Sequence, residues 1–401
     1  MNALTARCCI AGGGPAGMML GFLLARAGVD VLVLEKHADF LRDFRGDTIH
    51  PSTLQVMDEL GLLDELLTRP HTKARTLGAQ IGAEFVEVAD LTHLSARCGF
   101  IALMPQWDFL DFLAEHARSF PSFRLMMHTE ATGLIEEGGP IAGLHARGPD
   151  GELEIRADLV VAADGRHSVL RQAGGFKVFD LGAPIDVLWM RLSRREGDPP
   201  LSLGRVGPGS IFINLNRGDY WQCALVIAKG GIEETHARGL PAFRARIAEL
   251  VPNFVDRVDE LQSWDDVKLL SVAVNRAREW WRPGLLLIGD AAHAMSPVGG
   301  VGINLAIQDA VAAANILAPH LRQGAAGPEV LRLVQRRRET PTRLTQGLQL
   351  LVQNRIISRV LATQRTPRVP LALRLLQEVP RLRRLPARMI GLGFLPEHVR
   401  T

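Results

Sequence analysis

The segment Gly12-Gly13-Gly14-Pro15-Ala16-Gly17 spaces its glycines to hold an anion on bare backbone. In this GxGxxG pattern Gly12 permits a tight turn, Gly14 lets the main chain approach a pyrophosphate, and Gly17 lets the following helix pack closely on a sheet. Pro15 and Ala16 open that helix. Glu35, followed by Lys36, closes the next strand 18 residues beyond Gly17, where a carboxylate accepts both hydroxyls of an adenosine ribose. With strand, helix and acid in register, the spacing predicts a dinucleotide site. The alternative is a glycine-rich turn with no ligand.

Two later stretches end buried strands in residues that carry chemistry. Leu285 to Ile288 runs into Gly289-Asp290-Ala291-Ala292-His293, then into Pro297-Val298-Gly299-Gly300-Val301-Gly302-Ile303-Asn304. A carboxylate such as Asp290 is costly at the end of a buried strand unless it meets donors, and the hydroxyls of a ribityl chain supply them. The glycines after Pro297 open a helix whose free N–H groups would face an anion, which favours the negative charge of a reduced flavin. Val160 to Ala163 likewise ends in Asp164-Gly165 ahead of a helix start.

Positioning these motifs takes a βαβ unit: a strand from Arg7 to Ala11, a helix from Ala16 to Ala27 stopped by Gly28, and a strand from Val29 to Glu35. A helix is predicted from His50-Pro51-Ser52 through Leu67, another from Trp107 to Arg118, and a third from Ile303 to Leu317. Between them the texture alternates with short half-exposed strands. The economical architecture is α/β: a Rossmann-like dinucleotide domain in three segments (1–72, 105–180, 276–320), an antiparallel-sheet substrate domain in two (73–104, 181–275), and C-terminal helices over 321–401.

With 47% apolar and 22% charged residues, the chain is globular rather than disordered. Its four cysteines form no CxxC pair, which points to a reducing cytoplasm and away from zinc, and no His, Cys or carboxylate cluster has metal-ligand spacing. The apolar start runs directly into the glycine loop, so no cleavable leader is expected, and no stretch approaches the roughly 20 apolar residues of a membrane span. Residues 321–401 hold 16 arginines, no lysine and four acids. These arginines are expected to point outward from packed helices, or to meet anionic lipid weakly; without interleaved aromatics they are not a nucleic-acid surface.

Together the three motifs resemble the group A flavoprotein monooxygenases, the family of para-hydroxybenzoate hydroxylase, phenol hydroxylase and the ubiquinone-pathway hydroxylases, from about Ala6 to Leu317. The resemblance implies a GR2-type FAD domain. Gly12, Gly14, Gly17 and Glu35 would hold the ADP half of FAD, Gly289 and Asp290 the ribityl and ribose region, and Asp164 and Gly165 both FAD and NAD(P)H. It further implies FAD contacts for Arg45 and Gln106 and a pyridine-nucleotide contact for Arg276. Pro297, Gly300, Val301, Gly302, Ile303 and Asn304 would line the flavin, although many members carry a polar residue in place of Val301.

The implied reaction has NADH or NADPH reduce FAD, O2 add as a C4a-hydroperoxide, and one oxygen pass to an electron-rich aromatic ring. The enzyme would be a monomer or homodimer. Tyr220, the single tyrosine, alternates with Trp221 on a substrate-domain strand whose facing is open, so it is either a substrate contact or a packed tyrosine. His50, with Tyr220 a candidate catalytic residue, is expected either to face the flavin edge or substrate or to serve as a cap or surface residue; His293 is expected to support the FAD loop. Two readings compete: an FAD reductase or dehydrogenase without oxygen transfer, and a flavin scaffold acting through the basic tail. A halogenase is disfavoured because Trp280-Trp281-Arg282-Pro283 lacks the halogenase pattern.

Overall fold

The run Cys8-Cys9-Ile10-Ala11 ends strand Asn2–Ala11 with no polar side to leave in water, so the strand lies at the centre of a sheet, buried on both faces. The computed structural model describes residues 2–41, 48–199, 203–365 and 368–401. Parallel pairing sets Gly151–Ala162 on one side of this strand and Val31–Leu34 on the other, with Leu285–Leu287 and Phe123–Met126 outside them. Strand alternation sorts the side chains into two cores. Ile10, Val33, Val161 and Leu286 meet the helices Pro15–Arg26, Gln106–Ala117 and Gly302–Gln323. Cys9, Leu32, Val160 and Leu287 meet the antiparallel strands Glu130–Glu136 and Ile141–Gly148.

A second sheet has seven strands in the order Lys268–Leu270, Ile185–Ser193, Tyr220–Ala228, Ser210–Asn216, Leu203–Gly207, Thr76–Ile81 and Glu84–Asp90. All neighbours are antiparallel except Leu203–Gly207 with Thr76–Ile81. The parallel strands thus come from residues 2–34, 123–162 and 285–287, and the seven-stranded sheet is drawn from the chain between them. This is the α/β architecture predicted from the sequence, with C-terminal helices added.

Three local expectations are corrected. The helix expected from His50 through Leu67 divides into Pro51–Glu59 and Leu63–Leu66, because Gly61 takes φ +73° between them. The helix expected over 303–317 extends over Gly302–Gln323, and its apolar window is long enough to cross a membrane by length and composition. That window is 72% buried, so its apolarity belongs to a core helix wrapped by protein. Nor do all the C-terminal arginines point outward.

Helix Pro328–Val352 packs along Gly302–Gln323 and carries Arg338 fully buried. Its Nε donates to Asp309 Oδ1 at 2.9 Å, and its NH1 lies 3.3 Å from Glu397 Oε1, which also accepts from Arg337 Nε at 2.7 Å. A buried arginine is tolerable only with such partners. Farther on, Gln377 donates to the Glu87 carbonyl at 2.8 Å and Arg383 pairs with Glu87 at 3.2 Å, so the last helices cover the edge strand of the seven-stranded sheet. Arg338→Met would leave Asp309 buried beside one fewer cation and should cost about 3–5 kcal/mol of stability. Urea unfolding checks this, and an unchanged midpoint would show the network to be energetically idle.

Candidate functional site

The three motifs lie on adjacent strands and meet at the carboxyl ends of those strands. Gly12 takes φ +104°, and a Cβ there would fall 2.3 Å from the Ala163 carbonyl oxygen, so the first motif abuts the Asp164 turn. A Cβ on Gly17 would fall 1.9 Å from the Gly12 carbonyl oxygen, and one on Gly289 (φ +58°) would fall 3.1 Å from Ala16 Cβ. Side chains would drive these segments apart. Gly14 differs: a Cβ there meets nothing within 4 Å, and it precedes a helix with no side-chain cap, so its backbone borders open space at a helix N-terminus.

The neighbouring carboxylates divide the work. Glu35 is buried and accepts from Gly13 N at 3.0 Å and His37 N at 3.1 Å, fixing the glycine loop. Asp164 Oδ2 accepts from Leu170 N at 3.3 Å, while its buried Oδ1 has no partner among the described residues. Burial pushes the Asp164 carboxyl up, and hydrogen bonds from Ser168 and the helix opening offset only part of that. Arg171 ties the two turns together, donating to the carbonyls of Asp290 (3.4 Å), Ala291 (3.0 Å) and Arg166 (2.6 Å). Asp290 itself is exposed, so the desolvation cost expected from its place after a buried strand does not arise.

The glycine loop of the second motif is braced from three sides. Gly299 and Gly300 take φ +81° and +63°, and a Cβ on Gly300 would stand 2.6 Å from Thr48 Oγ1. Asn304 is buried: its Oδ1 accepts from His50 N (2.9 Å) and Thr53 Oγ1 (2.8 Å), and its Nδ2 donates to the carbonyls of Thr48 (3.1 Å) and Gly300 (3.3 Å). Its amide is therefore spent on the chain's own groups, three backbone and the Thr53 hydroxyl. On the far side, Gln346 donates to the carbonyls of Asn275 and Ala294, Gln349 to those of Ser296 and Val298, and Gln353 to Ser296 Oγ. These glutamines, three to seven residues apart on one helix face, were missed by sequence reasoning. Their helical spacing was visible but pointed at no known ligand.

His293, Asp309 and Gly289 form the fourth support. His293 Nε2 donates to Asp309 Oδ2 at 2.6 Å, and Gly289 N donates to the same oxygen at 3.1 Å. Burial raises the Asp309 carboxyl, but His293 and Arg338 more than offset it and leave it below the ordinary range.

The structure also settles which face of the second sheet looks toward the glycine loop. Ala224 and Val226 share a cluster with Val187, Trp189, Ile211 and Ile213, against Val298 of the loop and Ile357 and Leu361 of the C-terminal helices. Trp221, Cys223 and Leu225 pack on the opposite side. By alternation Tyr220 and Gln222 belong to the loop-facing side. Tyr220, however, starts its strand half-buried, with the Arg191 guanidinium 4.0 Å over its ring.

The remaining expected residues are scattered. Lys36 is exposed, 3.9 Å from Glu130. Gln106 opens helix Gln106–Ala117, and Arg45 lies outside the described residues. Arg276 NH1 donates to Gln346 Oε1 at 2.7 Å; burial and the nearby Arg343 lower its pKa. His50 is neither a side-chain cap nor a surface residue. It is wholly buried, because helix Arg384–Gly391 covers it and the Ile390 carbonyl takes a hydrogen bond from Nδ1 at 2.7 Å.

A parallel sheet whose adjacent strand ends bring three glycine turns together, joined to an antiparallel sheet with one face packed toward the glycine loop, defines the flavin-dinucleotide class of fold. Residues 5–347 match the FAD binding domain family, and the chain belongs to it. It is 34% identical to 6-methylpretetramide 4-monooxygenase from Streptomyces rimosus, covering 87% of this chain and 84% of that protein. It is 30% identical to a rifampicin monooxygenase from Streptomyces venezuelae, covering 75% of this chain and 61% of the relative, which is less than two thirds of its length. In fold it is similar to p-nitrophenol 4-monooxygenase from Pseudomonas putida, with TM-score 0.78 at 20% identity, covering 96% of this chain and 97% of the other.

Burial lowers the His50 pKa from its ordinary 6.5 to about 4, partly countered by the Ile390 carbonyl. The unfolded chain therefore takes up this proton at higher pH than the folded one. His50's contribution is complete above pH 6.5 and is lost as pH falls toward 4, amounting to about 3 kcal/mol. Urea midpoints measured across this range should decline less steeply in His50→Asn; parallel curves would show that His50 is not the titrating group.

Proposed function

We propose that this chain is an FAD-dependent, NAD(P)H-consuming monooxygenase that hydroxylates an aromatic or similarly electron-rich small molecule. The observation that carries this reading is the junction of three motifs at neighbouring strand ends, facing an apolar sheet surface. The residues present fit FAD. Gly14 leaves open space at an uncapped helix N-terminus for a pyrophosphate, and the unpartnered Asp164 Oδ1 at the adjoining strand end suits a hydroxyl donor. When bound, FAD supplies the redox and oxygen chemistry.

The chain's own residues bind and orient. Gly12 and Gly17 permit the close turn under the pyrophosphate, with Pro15 and Ala16 opening the helix. Asp164, Gly165, Gly289 and Asp290 would hold the ribityl region of FAD, and the N–H groups opening helix Gly302–Gln323 would offer donors to the flavin ring. Trp189, Ile211, Ile213, Ala224 and Val226 present an apolar wall to the substrate ring and exclude water from it. Arg276 with Arg343 offers cationic charge to a transient NADH or NADPH. Tyr220, on the rim of the same face, is a substrate contact.

The relatives named above support oxygen transfer over simple reduction. Four free, buried cysteines favour a cytoplasmic setting, and the assembly is a monomer or homodimer. Around the basic C-terminal helices, Leu371, Leu375, Leu382 and Leu385 are exposed among Arg374, Arg381 and Arg384, which suits weak contact with an anionic membrane surface.

Purified, FAD-loaded protein tests the reaction against phenols, anthranilates and quinone precursors. Substrate should stimulate NAD(P)H oxidation with matching O2 uptake and an oxygenated product; stimulated oxidation that proceeds without O2 would sink the proposal. In the same assay Asp290→Ala should lower FAD occupancy, whereas Arg276→Ala should raise the apparent KM for NAD(P)H several-fold with FAD retained. Retained occupancy in the first, or unchanged kinetics in the second, removes that residue from the site. Flotation with phosphatidylglycerol vesicles should carry part of the protein upward and phosphatidylcholine vesicles should not; equal flotation with both rejects the electrostatic contact.

A further inference from the structure

We propose that His50 is the hydrogen-bond acceptor for an N–H or O–H donor of the ring system held against the Pro297–Asn304 loop, with the C-terminal helix Arg384–Gly391 setting its tautomer. This rests on the FAD reading. His50 is wholly buried, and its Nε2 has no partner among the described residues. A buried polar atom left without a partner is costly, and an aliphatic side chain would avoid that cost.

The two ring nitrogens are not equivalent here. A carbonyl can only accept, so the 2.7 Å contact with the Ile390 oxygen requires the proton on Nδ1. Nε2 is then a bare lone pair. Burial holds the ring neutral down to about pH 4, so protonation does not convert it to a donor near neutrality. The ring is also fixed in place. Its main-chain N–H donates to Asn304 Oδ1, Pro51 begins a helix directly after it, and a Cβ added at Gly391 would stand 3.3 Å from Pro51 Cγ.

Nε2 looks onto the glycine loop. A Cβ built on Gly300 would lie 3.5 Å from it, immediately before the N-terminus of the 22-residue helix Gly302–Gln323. That helix end already presents N–H donors to whatever binds there. A donor-rich helix end and a single rigid acceptor are together suited to a planar group bearing both carbonyl oxygens and an N–H or O–H. The flavin ring offers the first through its carbonyls and the second through its imide N–H. A phenolic substrate offers the second through its hydroxyl.

The sources are separated by two substitutions. His50→Asn keeps a donor at the Nδ1 position for the Ile390 carbonyl but has nothing at the Nε2 position. His50→Gln places an amide oxygen near Nε2 and gives up the Nδ1 bond. Apoprotein is titrated with FAD and with N3-methyl FAD by fluorescence, and FAD-loaded protein with a phenol and its methyl ether. Thermal unfolding of each variant is followed in parallel.

If the flavin is the donor, His50→Asn binds FAD about tenfold more weakly, and the parent's preference for FAD over its N3-methyl form disappears. If the substrate is the donor, FAD binding is unchanged, while affinity for the phenol drops about tenfold and that for its ether does not. In either case His50→Gln stays nearer the parent than His50→Asn does; should His50→Asn fail to fold, the parent's own preference for FAD over its N3-methyl form, or for the phenol over its ether, carries the test. Equal ligand affinities in the parent and folded His50→Asn, or a parent that does not distinguish either ligand from its methylated form, would overturn the proposal. Failure of the parent to bind FAD at all would instead overturn the cofactor reading, and this inference with it.

Discussion

A charged carboxylate in a protein core persists only where every neighbour is arranged around it, and Asp309 is that constraint here. It sits within the core helix Gly302–Gln323 and takes hydrogen bonds from Gly289 N on the second-motif turn, from His293 just beyond it, and from Arg338 on the next helix. Glu397, near the end of the chain, completes the charge balance around Arg338. One buried group thereby links the turn carrying Asp290, the helix that opens at the glycine loop, and a C-terminal region beyond the reach of the family match.

That linkage alters the standing of the arginine-rich region. By charge alone it reads as an appendage. In the structure its first helix holds the segment from Ala294 to Val298 through Gln346, Gln349 and Gln353, and its last helix closes over His50. Between them, Ile357 and Leu361 pack on the apolar face of the seven-stranded sheet opposite Val298. A π turn over Gln353–Ile357 interrupts the helix where it passes the loop, a geometry that re-aims side chains at some cost in backbone regularity. The loop from Ala294 to Asn304 is thus braced by chain segments near both termini and from the middle.

The nucleotide half of the fold was legible because local and tertiary demands coincide there. A tight turn, an approach too close for a side chain and a strand buried on both faces each require particular residue types at fixed spacing, as Gly12, Gly17 and Cys8 to Ala11 show. The substrate half carries no such signature. Its strands alternate regularly, but alternation alone leaves the two faces equivalent, and only packing of Phe243, Ile247 and Phe254 against one face assigns the other to the glycine loop. Polar residues read individually misled most. Asp290 was expected to be desolvated and is exposed, while His50, expected either at the flavin edge or substrate or as a cap or surface residue, is wholly buried.

By itself, the sequence determined the dinucleotide motifs, the order of strands and helices around them and the alternation of two sheet types, because backbone sterics and hydrophobic periodicity act over a few residues. Tertiary structure alone decided which carboxylates are buried, which sheet face meets the glycine loop, and that the basic C-terminal helices pack against His50 and the segment from Ala294 to Val298. Those properties depend on neighbours hundreds of positions away, as between His50 and Ile390, and no local pattern encodes such a contact.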